Sequence, residues 1–71
     1  MKNVTKIYEL TNDAATTVQY QIGDTLTVKR TKFFAGEEVT STVYETNAKG
    51  KNVNARKLFN IAVKYENQKA G

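Results

Sequence analysis

The stretch Thr25–Thr46, TLTVKRTKFFAGEEVTSTVYET, constrains the fold more than any other part of this chain. β-Branched and aromatic residues alternate with polar ones on both sides of a single glycine-containing break, which is the pattern of a long β-hairpin. Closing it at Ala35-Gly36, with Phe34 opposite Glu37, sets Val28 across from Val43, Arg30 from Ser41, Thr31 from Thr40 and Lys32 from Val39. That register gathers Leu26, Val28, Val39 and Val43 on one face, and a slip of one residue would divide them. The other face takes Thr25, Thr27, Lys29, Thr31, Thr40 and Thr42, and β-branched threonines suit a solvated pleated surface. In this register Tyr44 also lies on the polar face, beside Thr27.

The segments before the hairpin supply two more strands. Val4–Leu10 places Val4, Tyr8 and Leu10 on one side and Ile7 on the other, an imperfect alternation. Residues 11–16 form a loop that turns at Asn12-Asp13, whose side chains can accept local backbone hydrogen bonds. Thr17–Ile22 alternates cleanly, with Val18, Tyr20 and Ile22 against Thr17, Gln19 and Gln21. A two-residue turn at Gly23-Asp24 would mismatch the apolar faces. An odd-length connection that sets Ile22 opposite Leu26 and Tyr20 opposite Val28 restores them.

After a polar loop, Asn47–Asn52, the segment 53–68 can be read in two ways. Ala55, Leu58, Ala62 and Tyr65 form a helical stripe flanked by Phe59 and Ile61, whereas Phe59, Ile61, Val63 and Tyr65 alternate as a strand would. Length, the Ala, Lys, Leu and Arg content, and Asn52 or Asn54 as N-cap favour the helix, although Arg56 and Lys57 in the first turn oppose its dipole. The expected fold is α+β, a four-stranded antiparallel meander with one C-terminal helix packed on one face. It spans a single domain, 1–71, with a frayed tail at 68–71.

Composition narrows the function classes. With no Cys, disulfides and thiolate metal sites are excluded, and with no His the commonest general base is missing. Ser41 is the sole serine and has no histidine to activate it. Glu37 and Glu38 are neighbours on a strand, so their side chains diverge. No enzyme, cofactor or metal is expected. Apolar runs reach three residues against the ~20 that span a membrane, and no apolar leader is evident, so a cytoplasmic location without membrane contact is expected. Proline is absent too, which leaves the sheet edges open and a homodimer feasible.

The net charge of +4 is uneven: residues 1–28 carry −1 and residues 29–71 carry +5. An electropositive surface favours polyanions and argues against an acidic DNA mimic. Lys29, Arg30, Lys32 and Phe33 combine cations with an aromatic in the outer half of the hairpin. That half is expected to project as a solvated arm able to hold a nucleic-acid backbone and stack on bases. Lys49, Lys51, Arg56 and Lys57 form a second basic group around Gly50 and the start of the helix, where phosphate is a suitable ligand. The same residues admit a structural role, with Phe34 capping the core and Arg30 and Lys32 paired to Glu37, Glu38 or Glu66. The topology resembles that of several single-stranded-DNA-binding and coactivator-like domains, without a shared motif.

The reading that follows is a small basic module binding single- or double-stranded nucleic acid, of the kind phages and mobile elements encode as accessories. The alternative is an inhibitor or adaptor that places the hairpin arm or a sheet edge on an acidic protein surface. A host defence nuclease such as a CRISPR effector is one such partner.

Overall fold

The computed structural model describes residues 3–70, with side chains described through Gln68. Four strands, β1 (Val4–Thr11), β2 (Ala15–Ile22), β3 (Leu26–Ala35) and β4 (Glu38–Thr46), precede one helix, α1 (Ala55–Ala70). The sheet is an antiparallel meander in the order β1-β2-β3-β4, and α1 packs across one of its faces, so the α+β expectation holds. The tail expected at 68–71 falls in the last turn of α1 and, at Gly71, outside the described residues.

Turn chemistry places the strands. At the β1–β2 turn the backbone N–H groups of Ala14 and Ala15 donate to Asn12 Oδ1 at 2.8 and 2.9 Å, the local closure expected of Asn12-Asp13. Three residues, Gly23–Thr25, join β2 to β3, and Ile22 pairs with Leu26 and Tyr20 with Val28, as the apolar faces require.

The β3–β4 register differs from the expected one. Val28 pairs with Thr46 rather than Val43, Arg30 with Tyr44, and Thr31 with Val43. Val28 and Val43 therefore lie on opposite faces. Two local causes produce the shift. First, the turn closes on Gly36-Glu37 instead of Ala35-Gly36, because the first central position has φ 64°, a value that favours glycine over alanine. Second, β4 carries a bulge at Thr40 between the Phe33–Ser41 and Phe34–Val39 pairs. The Thr40 hydroxyl donates to the Phe33 carbonyl there, at 3.3 Å. The single extra residue exchanges the faces of everything beyond it, sending Val43 out to water and Tyr44 in toward the helix. A second bulge, at Ile7 in β1, has the same effect and separates Val4, which is buried, from Tyr8 and Leu10, which are exposed.

The core forms between the helix-covered face and α1. Val4, Val18, Tyr20, Ile22, Val28, Phe59 and Ala62 are buried, with Leu26, Tyr44, Ala55, Leu58, Val63 and Tyr65 packed around them. Asn54 caps the helix, its Oδ1 accepting from the Lys57 N–H at 3.2 Å. The helical reading of this segment holds, but its centre moves. Phe59, at 1% exposure, is the central side chain, while Leu58 is half-buried and Ile61 faces water. The Phe59 ring meets Tyr20 edge-on at 5.4 Å and Tyr44 at 5.8 Å, and the Arg30 guanidinium lies 4.7 Å from its centroid. Lys6 ties β1 to the helix through Glu66 at 3.9 Å and also reaches Glu9 at 3.6 Å, surface pairs worth little individually.

Two predictions follow from this core. Phe59→Ala should lose ~3–5 kcal/mol, enough to unfold most molecules of so small a domain, while Val43→Ala should change stability by no more than about 0.5 kcal/mol. Thermal melts of the two variants check this, and equal melting points would refute it. Burial, helped by the Glu66 charge, raises the Tyr20 phenol pKa above its ordinary 10.0, with Lys6 and Arg30 acting in the opposite sense. The unfolded phenol then ionises first, so this contribution to stability is intact below pH 10 and declines as pH rises toward the folded value. Denaturant titrations between neutral and strongly alkaline pH should show a shallower alkaline loss for Tyr20→Phe than for the unsubstituted chain.

Candidate nucleic-acid interface

The sheet's period of two divides the basic residues of the hairpin. Lys29 projects from the helix-free face, where its Nζ lies 3.1 Å from Glu45 Oε2. Arg30 projects from the helix-covered face and packs on Phe59, with its Nε shielded and without a hydrogen-bond partner among the described residues. Lys32 shares that face, half-buried between Thr16 and Thr42. Phe33 returns to the open face between Ala15 and Ser41, 42% exposed. The projecting arm expected here is not formed, because β3 pairs with β2 as far as Phe33 and the Phe34 N–H donates to the Ala14 carbonyl at 2.8 Å. Only the turn extends beyond the sheet. Arg30 does take a structural role, with Phe59 rather than with Glu37, Glu38 or Glu66.

The second basic group lies outside the sheet and escapes this division. Lys49 and Lys51 occupy the loop from β4 to α1, and Arg56 and Lys57 stand in the first helical turn, all four exposed. From Thr46 to Tyr65 the sequence holds five cations (these four and Lys64) and no carboxylate. None of the five has an ion-pair partner among the described residues, whereas Lys6 and Lys29 both do.

The start of this loop is held by a residue that sequence reasoning did not single out. Asn47 donates from Nδ2 to the Thr25 carbonyl at 2.7 Å, and its Oδ1 accepts from the Thr27 N–H at 2.8 Å. Its side chain thus copies a strand pairing past the end of β4. Thr46 adds a bond from its hydroxyl to the Thr27 carbonyl at 2.6 Å and accepts from the Ala48 N–H at 3.1 Å. Asparagine directly after a strand was the available signal, since its amide matches the peptide group in donors and acceptors. Gly50 has φ 148°, and a Cβ there would meet Val53 Cγ2 at 3.2 Å, so the bend between Lys49 and Lys51 favours glycine.

Two of the carboxylates lie at the far end of the sheet. Asp13 and Glu37 line a shallow recess with Asn12, Phe34 and Gly36 at the opposite end of the sheet from the Asn47 loop. No group of three or more His, Cys, Asp or Glu able to hold a metal ion occurs among the described residues. No helix among them is long and apolar enough to cross a membrane. No family model, curated protein or solved structure matches the chain.

Asn47→Ala should release the loop at modest cost, about 0.5–1.5 kcal/mol for each hydrogen bond removed. Amide exchange offers a local measurement: the Thr27 N–H should lose protection while that of Val28 keeps it.

Proposed function

We propose that this chain is a small cytoplasmic nucleic-acid-binding module that contacts phosphates through the Asn47–Lys57 segment. The observation that carries the reading is the run of unopposed cations from Lys49 to Lys57 on a loop pinned to the sheet by Asn47. Charges without carboxylate partners retain a counterion atmosphere that a polyphosphate can displace, and the release of those ions drives association. A loop leading into a helix can follow a phosphate backbone without requiring a particular base sequence. Lys32 stands apart from this segment, toward the turn end of β3, Lys29 contributes only after leaving Glu45, and Arg30 serves the core instead.

The test is binding of single- and double-stranded DNA and RNA as a function of salt. With about three to four phosphates neutralised, log affinity should fall with log salt at a slope of roughly −2 to −4. Replacing Lys49 and Lys51 together with Gln should flatten that slope by about one to two units. Arg30→Ala should instead lower the melting temperature and leave the slope of the folded fraction unchanged. An absence of salt-dependent affinity for every nucleic acid would reject the proposal in favour of an adaptor or inhibitor acting on a protein.

A further inference from the structure

We infer that the helix-free face of the sheet is an interface for a second copy of this chain, two sheets stacking open face to open face. The inference does not depend on the nucleic-acid reading, which rests on the helix side of the molecule. It starts from surface area. The chain exposes 5297 Å², whereas an ordinary monomer of 8.0 kDa exposes about 4,450 Å². The excess, about 850 Å², matches the ~800 Å² that each partner buries in a standard protein interface. Its source is shape: the Cα extents are 39 × 33 × 16 Å, and the radius of gyration is 12.8 Å where a compact chain of this length has about 11 Å. The molecule is a slab with one broad side uncovered.

That side carries apolar surface and little net charge. Of the eight large hydrophobics exposed among the described residues, Tyr8, Leu10, Phe33 and Val43 project from it, each 42–49% exposed. Its ionic groups are Lys29 and Glu45, which neutralise each other at 3.1 Å, and Glu38, opposite Ala35 at the turn end of the hairpin. The surplus positive charge of the chain resides elsewhere, so two copies approach by this face without the repulsion that their basic loops would meet. A polyanion, conversely, finds little to attract it here.

The residue rows across the strands are complementary to their own reversal. Leu10, Thr17, Thr31 and Val43 form one row, and Ala15, Phe33 and Ser41 another. A two-fold axis parallel to the strands and passing between β2 and β3 reverses each row over itself. Leu10 then meets Val43 of the second copy, Thr17 meets Thr31, and Phe33 enters the space above Ala15. Apolar residues meet apolar ones at the ends of the first row and Phe33 meets a small residue in the second, as in the aligned packing of two sheets ~10 Å apart.

Sedimentation equilibrium of the full chain should show a species of twice 8.0 kDa that dissociates on dilution. Leu10→Asp or Val43→Asp should weaken it by about tenfold or more, while circular dichroism stays unchanged because both sites are exposed in the single copy. The cysteine-free sequence permits a direct check with Leu10→Cys plus Val43→Cys. Within one copy these positions lie three strand spacings apart, about 14 Å, whereas across the two-fold they lie one inter-sheet spacing apart, about 10 Å. A thiol cross-linker of about 10 Å, which spans a gap too long for a direct disulfide and falls short of the pair within one copy, should therefore yield covalently linked pairs. A chain that stays monomeric at every concentration, or that forms no cross-link, overturns the inference. So does a dimer indifferent to both aspartates, which would place the contact at a strand edge. A monomer whose nucleic-acid affinity collapses with Phe33→Ala assigns the face to bases and overturns it as well.

Discussion

The Phe59 ring is the contact on which the rest of the structure depends. One helix must cover a four-stranded sheet, and a chain this short has few large side chains available for that task. Phe59 concentrates the task at one point, with Tyr20 and Tyr44 against its edges and the Arg30 guanidinium over its face. Edge-to-face aromatic pairs add about 0.5–1.5 kcal/mol each beyond their buried area, and a cation over a ring adds a comparable amount. These three partners come from β2, β3 and β4, so a single helical residue holds three strands together. Lys6 with Glu66 reaches the fourth, β1, by a weaker surface contact.

That cluster also explains the hairpin register. With Val43 facing inward, Phe59 would meet a valine in place of an aromatic ring, and Tyr44 would stand in water. The Thr40 bulge costs little, since the Thr40 hydroxyl bonds the Phe33 carbonyl beside it, and it brings Tyr44 to 5.8 Å from Phe59. Alternation within the hairpin favours the valine pairing because it weighs only contacts between β3 and β4. The deciding contact comes from a helix some fifteen residues further along the chain, and no local pattern contains it. The β2–β3 connection was legible for the opposite reason: Tyr20, Ile22, Leu26 and Val28 are all core residues, so matching faces within the hairpin and packing under the helix demand the same register. Tyr8 and Leu10 show the limit again. Their true face depends on the inserted Ile7, which the sequence marks only as a fault in the alternation.

The basic residues divide along the same line. Lys29-Arg30-Thr31-Lys32-Phe33 looks concentrated in sequence, but a strand projects neighbours to opposite sides. Neutralisation by Glu45 and packing on Phe59 then remove Lys29 and Arg30 from any common surface. Lys49, Lys51, Arg56 and Lys57 look less concentrated, yet they lie where no pleat separates them and no acid stands among them. Density of charge along a chain is therefore a poor guide inside a sheet and a better one in a loop.

The two broad sides of the slab end up chemically distinct, and both outcomes trace to where α1 lies. Covering one face takes Tyr20, Tyr44 and Phe59 into the core and leaves the lysines of the preceding loop around the rim. The opposite face keeps threonine, glutamine and a few apolar side chains, with Lys29 and Glu45 cancelling and Glu38 at its turn end. With the unpaired cations at the rim and few charges on the open face, a polyanion and a second copy would not compete for surface. Pairing two copies would bring two basic loops onto one particle. The second loop would then bind at the effective concentration set by the rigid sandwich, strengthening the hold on a long polyanion without any new contact in either copy.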